Sequence, residues 1–136
     1  MSRLIKSHSV EYPTARDVFR AIIEETLKLG EDSWGHFDDA DSSVWAEIRP
    51  HERGLLVNLP YPYREEPEEV FAKKGLSVPD HWQADTFRRK GFLTHGYITY
   101  LAPQEDLDRI IAFLDRFFTC MSEKGPSYHV SGDVES

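Results

Sequence analysis

The residues with types and spacing suited to chemistry are few in this chain of 136 residues. His36 is followed by Asp38, Asp39 and Asp41, and imidazole with carboxylates is an ordinary ligand set for a divalent ion. The spacing is neither a His-x-x-x-His helical pair nor a complete calcium loop, which would need a central glycine and a closing Glu. The stretch therefore reads as a solvated acidic loop, and no metal site is expected. Arg88, Arg89 and Lys90, flanked by Trp82, Phe87 and Phe92, make the one basic cluster of an acidic chain. Guanidinium groups beside aromatic rings suit a carboxylate or a phosphate, although the same charges would also balance the acidic run from Glu65 to Glu69. Cys120 sits beside the apolar stripe of a helix and reads as a small buried hydrophobe. Ser7-His8-Ser9 lies on a strand with no nucleophile elbow, and no Gly-rich phosphate loop occurs. No catalytic residue and no cofactor is expected. Trp34, Trp45, Tyr61, Tyr63, Trp82, Tyr97 and Tyr100 form an aromatic set larger than a core of this size needs. Tyr and Trp supply contact area at little entropic cost, so the set points to a groove or an interface. The expected binding residues are Trp45, Trp82, Arg88, Arg89, Tyr97 and Tyr100.

The elements that must position them follow from periodicity. Gly91 to Met121 reads as a strand, a corner at Pro103 and an amphipathic helix whose Leu107, Ile110, Ile111, Leu114, Phe117, Phe118 and Met121 form one stripe. Gln104, Glu105 and Asp106 precede it, where the helix dipole favours negative charge. Near the start, Arg3 to Tyr12 alternates as a strand, with Leu4, His8, Val10 and Tyr12 on one face. Thr14 and Asp17 then form a capping box for a helix carrying Val18, Phe19, Ile22, Ile23 and Leu27 and ending at Gly30. Glu31 to Ser43 reads as a loop. Val44, Ala46 and Ile48 alternate with Trp45, Glu47 and Arg49; after a turn at Pro50 to Arg53, Leu55, Val57 and Leu59 face the core of a second strand. Glu66 to Lys74, with Pro67 in its first turn, predicts a short helix stopped by Gly75. Val78 to Lys90 gives neither period cleanly, and Ser122 to Ser136 reads as a mobile tail. The expected fold is α+β: residues 1–121 form a single domain, with an N-terminal and a long C-terminal amphipathic helix on one face of a single antiparallel sheet, and 122–136 a flexible C-terminal tail.

Composition bounds the function classes. A net charge of −8 argues against nucleic acid and against an anionic membrane surface as partners. A single cysteine excludes an intrachain disulfide and points to a reducing, cytoplasmic compartment. No run approaches the ~20 apolar residues of a membrane span, and Met1 to Tyr12 lacks the apolar core of a signal peptide.

From Ala21 onward, the order of elements resembles the type III secretion chaperone-like superfamily, including its YbjN-type members. The resemblance rests on the helix Ala21 to Gly30, the hairpin Val44 to Leu59, Gly75-Leu76-Ser77-Val78-Pro79 before Trp82, and the strand and helix Tyr97 to Met121. It implies a homodimeric protein-binding module. The extra strand Arg3 to Tyr12, followed by Pro13 and the Val18-Phe19 helix, departs from that pattern and resembles the opening of START-like helix-grip domains, which implies a small-molecule cavity. The expected function is a non-catalytic, chaperone-like protein-interaction module, a homodimer with a protein partner. The alternative is a small-ligand binder, or an enzyme, with a pocket between the sheet and the last helix.

Overall fold

A computed structural model describes residues 3–7, 11–88 and 96–136. Twelve elements of regular structure alternate along them, and the sheet is antiparallel throughout. The strands are β1 (Arg3–Ser7), β2 (Trp34–Asp39), β3 (Trp45–His51), β4 (Gly54–Pro60), β5 (Gln83–Arg88), β6 (Tyr97–Ala102) and β7 (Val130–Glu135), in the spatial order β1-β7-β2-β3-β4-β6-β5. The helices are α1 (Ala15–Leu29), α2 (Pro67–Lys74) and α3 (Leu107–Met121), with short 3-10 turns at Gln104–Asp106 and Gly125–Ser127. The fold is the expected α+β arrangement. Among the described residues no helix is long and apolar enough to cross a membrane.

Helix α1 starts where its capping box requires. The Thr14 backbone N–H donates to Asp17 Oδ2 at 3.0 Å, and the Asp17 N–H returns a bond to Thr14 Oγ1 at 3.2 Å. Its buried side chains, Val18, Phe19, Ile22, Ile23 and Thr26, recur at helical spacing and lie on the sheet. Phe19 joins three elements, edge-on to Phe37 of β2 at 5.0 Å and stacked on Phe118 of α3 at 5.6 Å. Two glycines let α1 come this close. A Cβ on Gly35 would stand 2.8 Å from Ile22 Cγ2, and one on Gly132 would stand 2.7 Å from Ile22 Cγ1. Ile22 thus occupies the space that two missing side chains leave on neighbouring strands.

The β3–β4 hairpin is as read from the sequence, with Ala46, Ile48, Leu55, Val57 and Leu59 buried. Its turn is shorter than expected, because Pro50 and His51 pair with Leu55 and Gly54, leaving only Glu52 and Arg53 unpaired. Gly54 has φ +150°, and a Cβ there would meet the Ala102 carbonyl oxygen at 2.1 Å. Only glycine lets β4 and β6 approach at this corner.

Other expectations are corrected. Residues 31–43 are not all loop: Trp34–Asp39 is β2, and its core-facing residues are Gly35 and Phe37. A strand whose inward positions include a glycine carries little hydrophobic signal. Likewise 122–136 is not a flexible tail. Val130, Gly132 and Val134 of β7 face the helices while the strand pairs with β1 on one side and β2 on the other. Tyr128 anchors its entrance, stacked on Phe118 at 5.4 Å with its hydroxyl donating to Asp115 Oδ1 at 2.6 Å. The unresolved period of Val78 to Lys90 contains β5, whose bulge between Ala84 and Thr86 breaks the alternation. The first strand is described over Arg3–Ser7 only, so the expected facing of its residues lies outside the described side chains, as do residues 91–95 of the last expected strand.

Candidate functional site

Helices α1 and α3 cover one face of the sheet. The space beneath α3 is filled by Ile110, Ile111, Phe113, Leu114, Phe117 and Phe118 of its own stripe. At its C-terminal end an open slot of about 450 Å³ remains, lined chiefly by Val44, Trp45, Pro60, Tyr63, Phe117 and Met121. A larger cleft, about 570 Å³, opens between α2, the segment that follows it and the edge of the sheet at β5 and β6. Phe71, Leu76, Trp82 and Tyr100 give it an apolar floor, and Glu68 and Asp80 lie on its acidic margin.

This cleft is held in shape by one buried carboxylate. Asp106, only 7% exposed, accepts the Trp82 indole N–H at 3.0 Å and an Arg109 Nη1–H at 3.1 Å, and it also bonds His81 Nε2. The Trp82 bond, opposed by burial and aided by His81 and Arg109, holds the Asp106 carboxyl below the usual carboxylate range. The network ties the segment after α2 to the start of α3, and so fixes Trp82 edge-on to Phe113 at 5.2 Å. Tyr100 packs against the same ring at 6.5 Å. Burial first, then the negative charge of Glu68 and the neighbouring Tyr61, push its phenol up to about 12, so it stays a neutral hydroxyl.

Two of the expected binding residues, Trp82 and Tyr100, therefore meet in one cleft. The others do not join them. Trp45 stacks on His36 at 6.0 Å and lines the slot at the end of α3. Arg88 lies opposite Tyr97 at the end of β5, and Tyr97 faces the side of the sheet that the helices leave open. Arg89 lies outside the described residues. The exposed basic cluster is thus represented by Arg88 alone. Sequence reasoning missed Asp106 as the organiser, because a carboxylate before a helix reads as a dipole partner whether or not it is buried.

The acidic stretch around His36 divides between the faces of β2. His36 and Asp38 point to the open face, whereas Asp39 is buried and accepts from Ser42 Oγ at 2.6 Å and the Asp41 N–H at 3.1 Å. Among the described residues no group of three His, Cys, Asp or Glu side chains is arranged to hold a metal ion. His36 instead stands among carboxylates, with Nε2 at 3.0 Å from Asp38 and Nδ1 at 3.8 Å from Glu47. The Glu47 carboxylate, countered by partial burial and supported by Asp38 and Asp133, pushes its pKa up to about 9. Asp38 is nearer but its side chain is 60% exposed against 28% for Glu47, so water weakens its influence.

A stability test follows. With a folded pKa of about 9 above an unfolded value of about 6.5, the His36 contribution is fully present below pH ~6.5 and is lost as pH rises through about 9. Discounted for solvent screening, it amounts to about 1–2 kcal/mol. Urea unfolding at pH 6 and pH 9.5 should show that loss in the wild type and a much smaller one in His36→Gln. Equal losses in both would assign the pH dependence elsewhere.

Set against family models, curated proteins and solved structures, the chain matches none of them.

Proposed function

We propose that this chain is a non-catalytic, chaperone-like protein-interaction module of the cytoplasm, working as a homodimer, whose α2–β5 cleft receives an apolar side chain of a partner protein. The cleft carries the reading. Its floor of Phe71, Leu76, Trp82 and Tyr100 is apolar and shaped in advance by the Asp106 network, and its margin at Glu68 and Asp80 is acidic. A pre-formed apolar cleft with few polar groups is the usual form of a binding site. The acidic margin, in a chain of net charge −8, favours a partner segment in which basic residues flank the apolar one. The resemblance to secretion chaperones rests on α1, the β3–β4 hairpin, α2, β6 and α3, with β2, β5 and β7 outside that pattern, and it bears on fold more than on function. The single free cysteine supports a reducing compartment. For the dimer the support is that no described strand lies on the outer side of β5, an edge that a two-fold mate would cover.

Ala84 lies on the cleft wall and is exposed, so Ala84→Arg should fill the entrance without disturbing the core. Peptides selected on the wild type from a random display library should be rich in apolar residues flanked by Lys or Arg. Their affinity for Ala84→Arg should fall at least tenfold, about 1.4 kcal/mol. Selection of peptides indifferent to this substitution would remove the cleft from the reading, and light scattering fixed at 15.8 kDa over a hundredfold dilution would remove the dimer. The slot at the end of α3 favours a second reading, a small apolar ligand between sheet and helix, because its lining is mostly apolar and lies where that pocket is expected.

A further inference from the structure

We propose that the trough on the face of the sheet opposite α1 and α3 binds a small uncharged polyhydroxylated ligand, a sugar. Four neighbouring strands, β3, β4, β6 and β5, form the trough, which has a volume of about 450 Å³. That lies within the range of about 300–1,000 Å³ common to small-ligand sites. Thr99, which lines it, is only 9% exposed although neither α1 nor α3 lies over it. Open antiparallel faces are usually polar but flat enough to stay wet. Here Thr99 Oγ1 donates to Asn58 Oδ1 at 2.9 Å, which fixes the amide and leaves the Asn58 nitrogen, with two N–H donors, for a ligand.

The groups around Asn58 are planar or hydroxylic and carry both signs of charge. Glu47 stands directly across from it on β3, and Arg49, next on that face, keeps its Nε 3.9 Å from Glu47 Oε1. On the β5 wall Thr86 Oγ1 donates to Asp85 Oδ2 at 3.1 Å. Glu47 and Asp85 repel an anion, and Arg49 and the His36 imidazolium, at 3.9 and 3.8 Å from Glu47, offset their attraction for a cation. Vicinal hydroxyls both donate and accept, and they match carboxylate, amide and guanidinium forks together. Leu56 and the Tyr97 ring supply the apolar surface that the C–H face of a sugar needs. The trough lies on the other side of the sheet from the α2–β5 cleft and does not depend on the protein-binding reading.

The test is saturation-transfer NMR with the methyl glycosides of glucose, mannose, galactose and N-acetylglucosamine as probes, each at millimolar concentration. Transfer to at least one of them is expected, with an affinity near the millimolar level, about −4 kcal/mol. Asn58→Leu should lower that affinity at least tenfold. Thr86→Val, nearly isosteric and on the exposed edge strand, should lower it several-fold while the thermal transition stays in place. Ala84→Arg, on the opposite face, should bind as the wild type does. Absence of transfer to all four glycosides, or wild-type binding by a folded Asn58→Leu or Thr86→Val, would overturn the proposal.

Discussion

Removing residues 128–136 is expected to abolish cooperative folding. The segment supplies Tyr128, Val130 and Val134, each 5% exposed or less. Burying three such side chains is worth about 5–9 kcal/mol, a large share of the roughly 5–15 kcal/mol that holds a domain of this kind together. Packing makes the loss worse. β7 is an interior strand, paired at five positions with β1 and at six with β2, so its removal leaves two ladders without partners. It also uncovers Ile22, Phe37 and Phe118, which touch Gly132 or Tyr128. The truncated chain should lose its near-ultraviolet circular dichroism and bind an apolar dye at 25 °C. A truncated protein with a thermal midpoint within a few degrees of the full chain would show that β7 is an ornament on a core complete without it. Gly132→Val gives a milder check on the same contact: its side chain must displace Ile22, and overpacking of that kind costs about 1–3 kcal/mol.

What the sequence disclosed and what it hid divide along one physical line. Helices α1 and α3 are legible because each buries a stripe of large residues whose spacing is set by the helix itself, and the capping box at Thr14 marks where the first begins. The β3–β4 hairpin is legible because both strands alternate over at least five residues. Strands β2 and β7 are hidden because they bury glycines, Gly35 and Gly132, where α1 presses on the sheet. At such contacts the large side chain belongs to the helix, and the strand shows only a gap. The tail's composition of Gly, Ser and acids conceals a period-2 pattern, Val130, Gly132, Val134, that could have been weighed as a strand. The candidate cleft was half legible. Trp82 and Tyr100 stand out as aromatic residues, but their convergence depends on the pairing of β5 with β6 and on a buried Asp106 that sequence cannot distinguish from a solvated one. The trough at Asn58 and Thr99 gave no signal, because a polar residue on an open face looks the same over a flat sheet as over a hollow one.

Phe117→Ala is expected to cost about 3–5 kcal/mol of unfolding free energy. Phe117 is fully buried, sits edge-on to Phe118 at 5.6 Å and forms the inner wall of the slot at the end of α3. Its loss removes the transfer free energy of a large ring and leaves a void whose far side is already open. Two effects then compete. The open slot lets water or the flexible thioether of Met121 enter, which lowers the cavity cost. The core side, packed by Phe118 and by the rest of the α3 stripe, cannot collapse inward without moving α1 through the Phe19–Phe118 stack. Because the stack fixes the helix on both sheet and neighbour, the rigid side should win, and the cost should fall in the upper half of the range. Urea denaturation with an unchanged slope gives the measurement. A loss below about 1 kcal/mol would mean that the slot and not the core sets the environment of this residue, and that the sheet-facing end of α3 is plastic enough to admit a ligand.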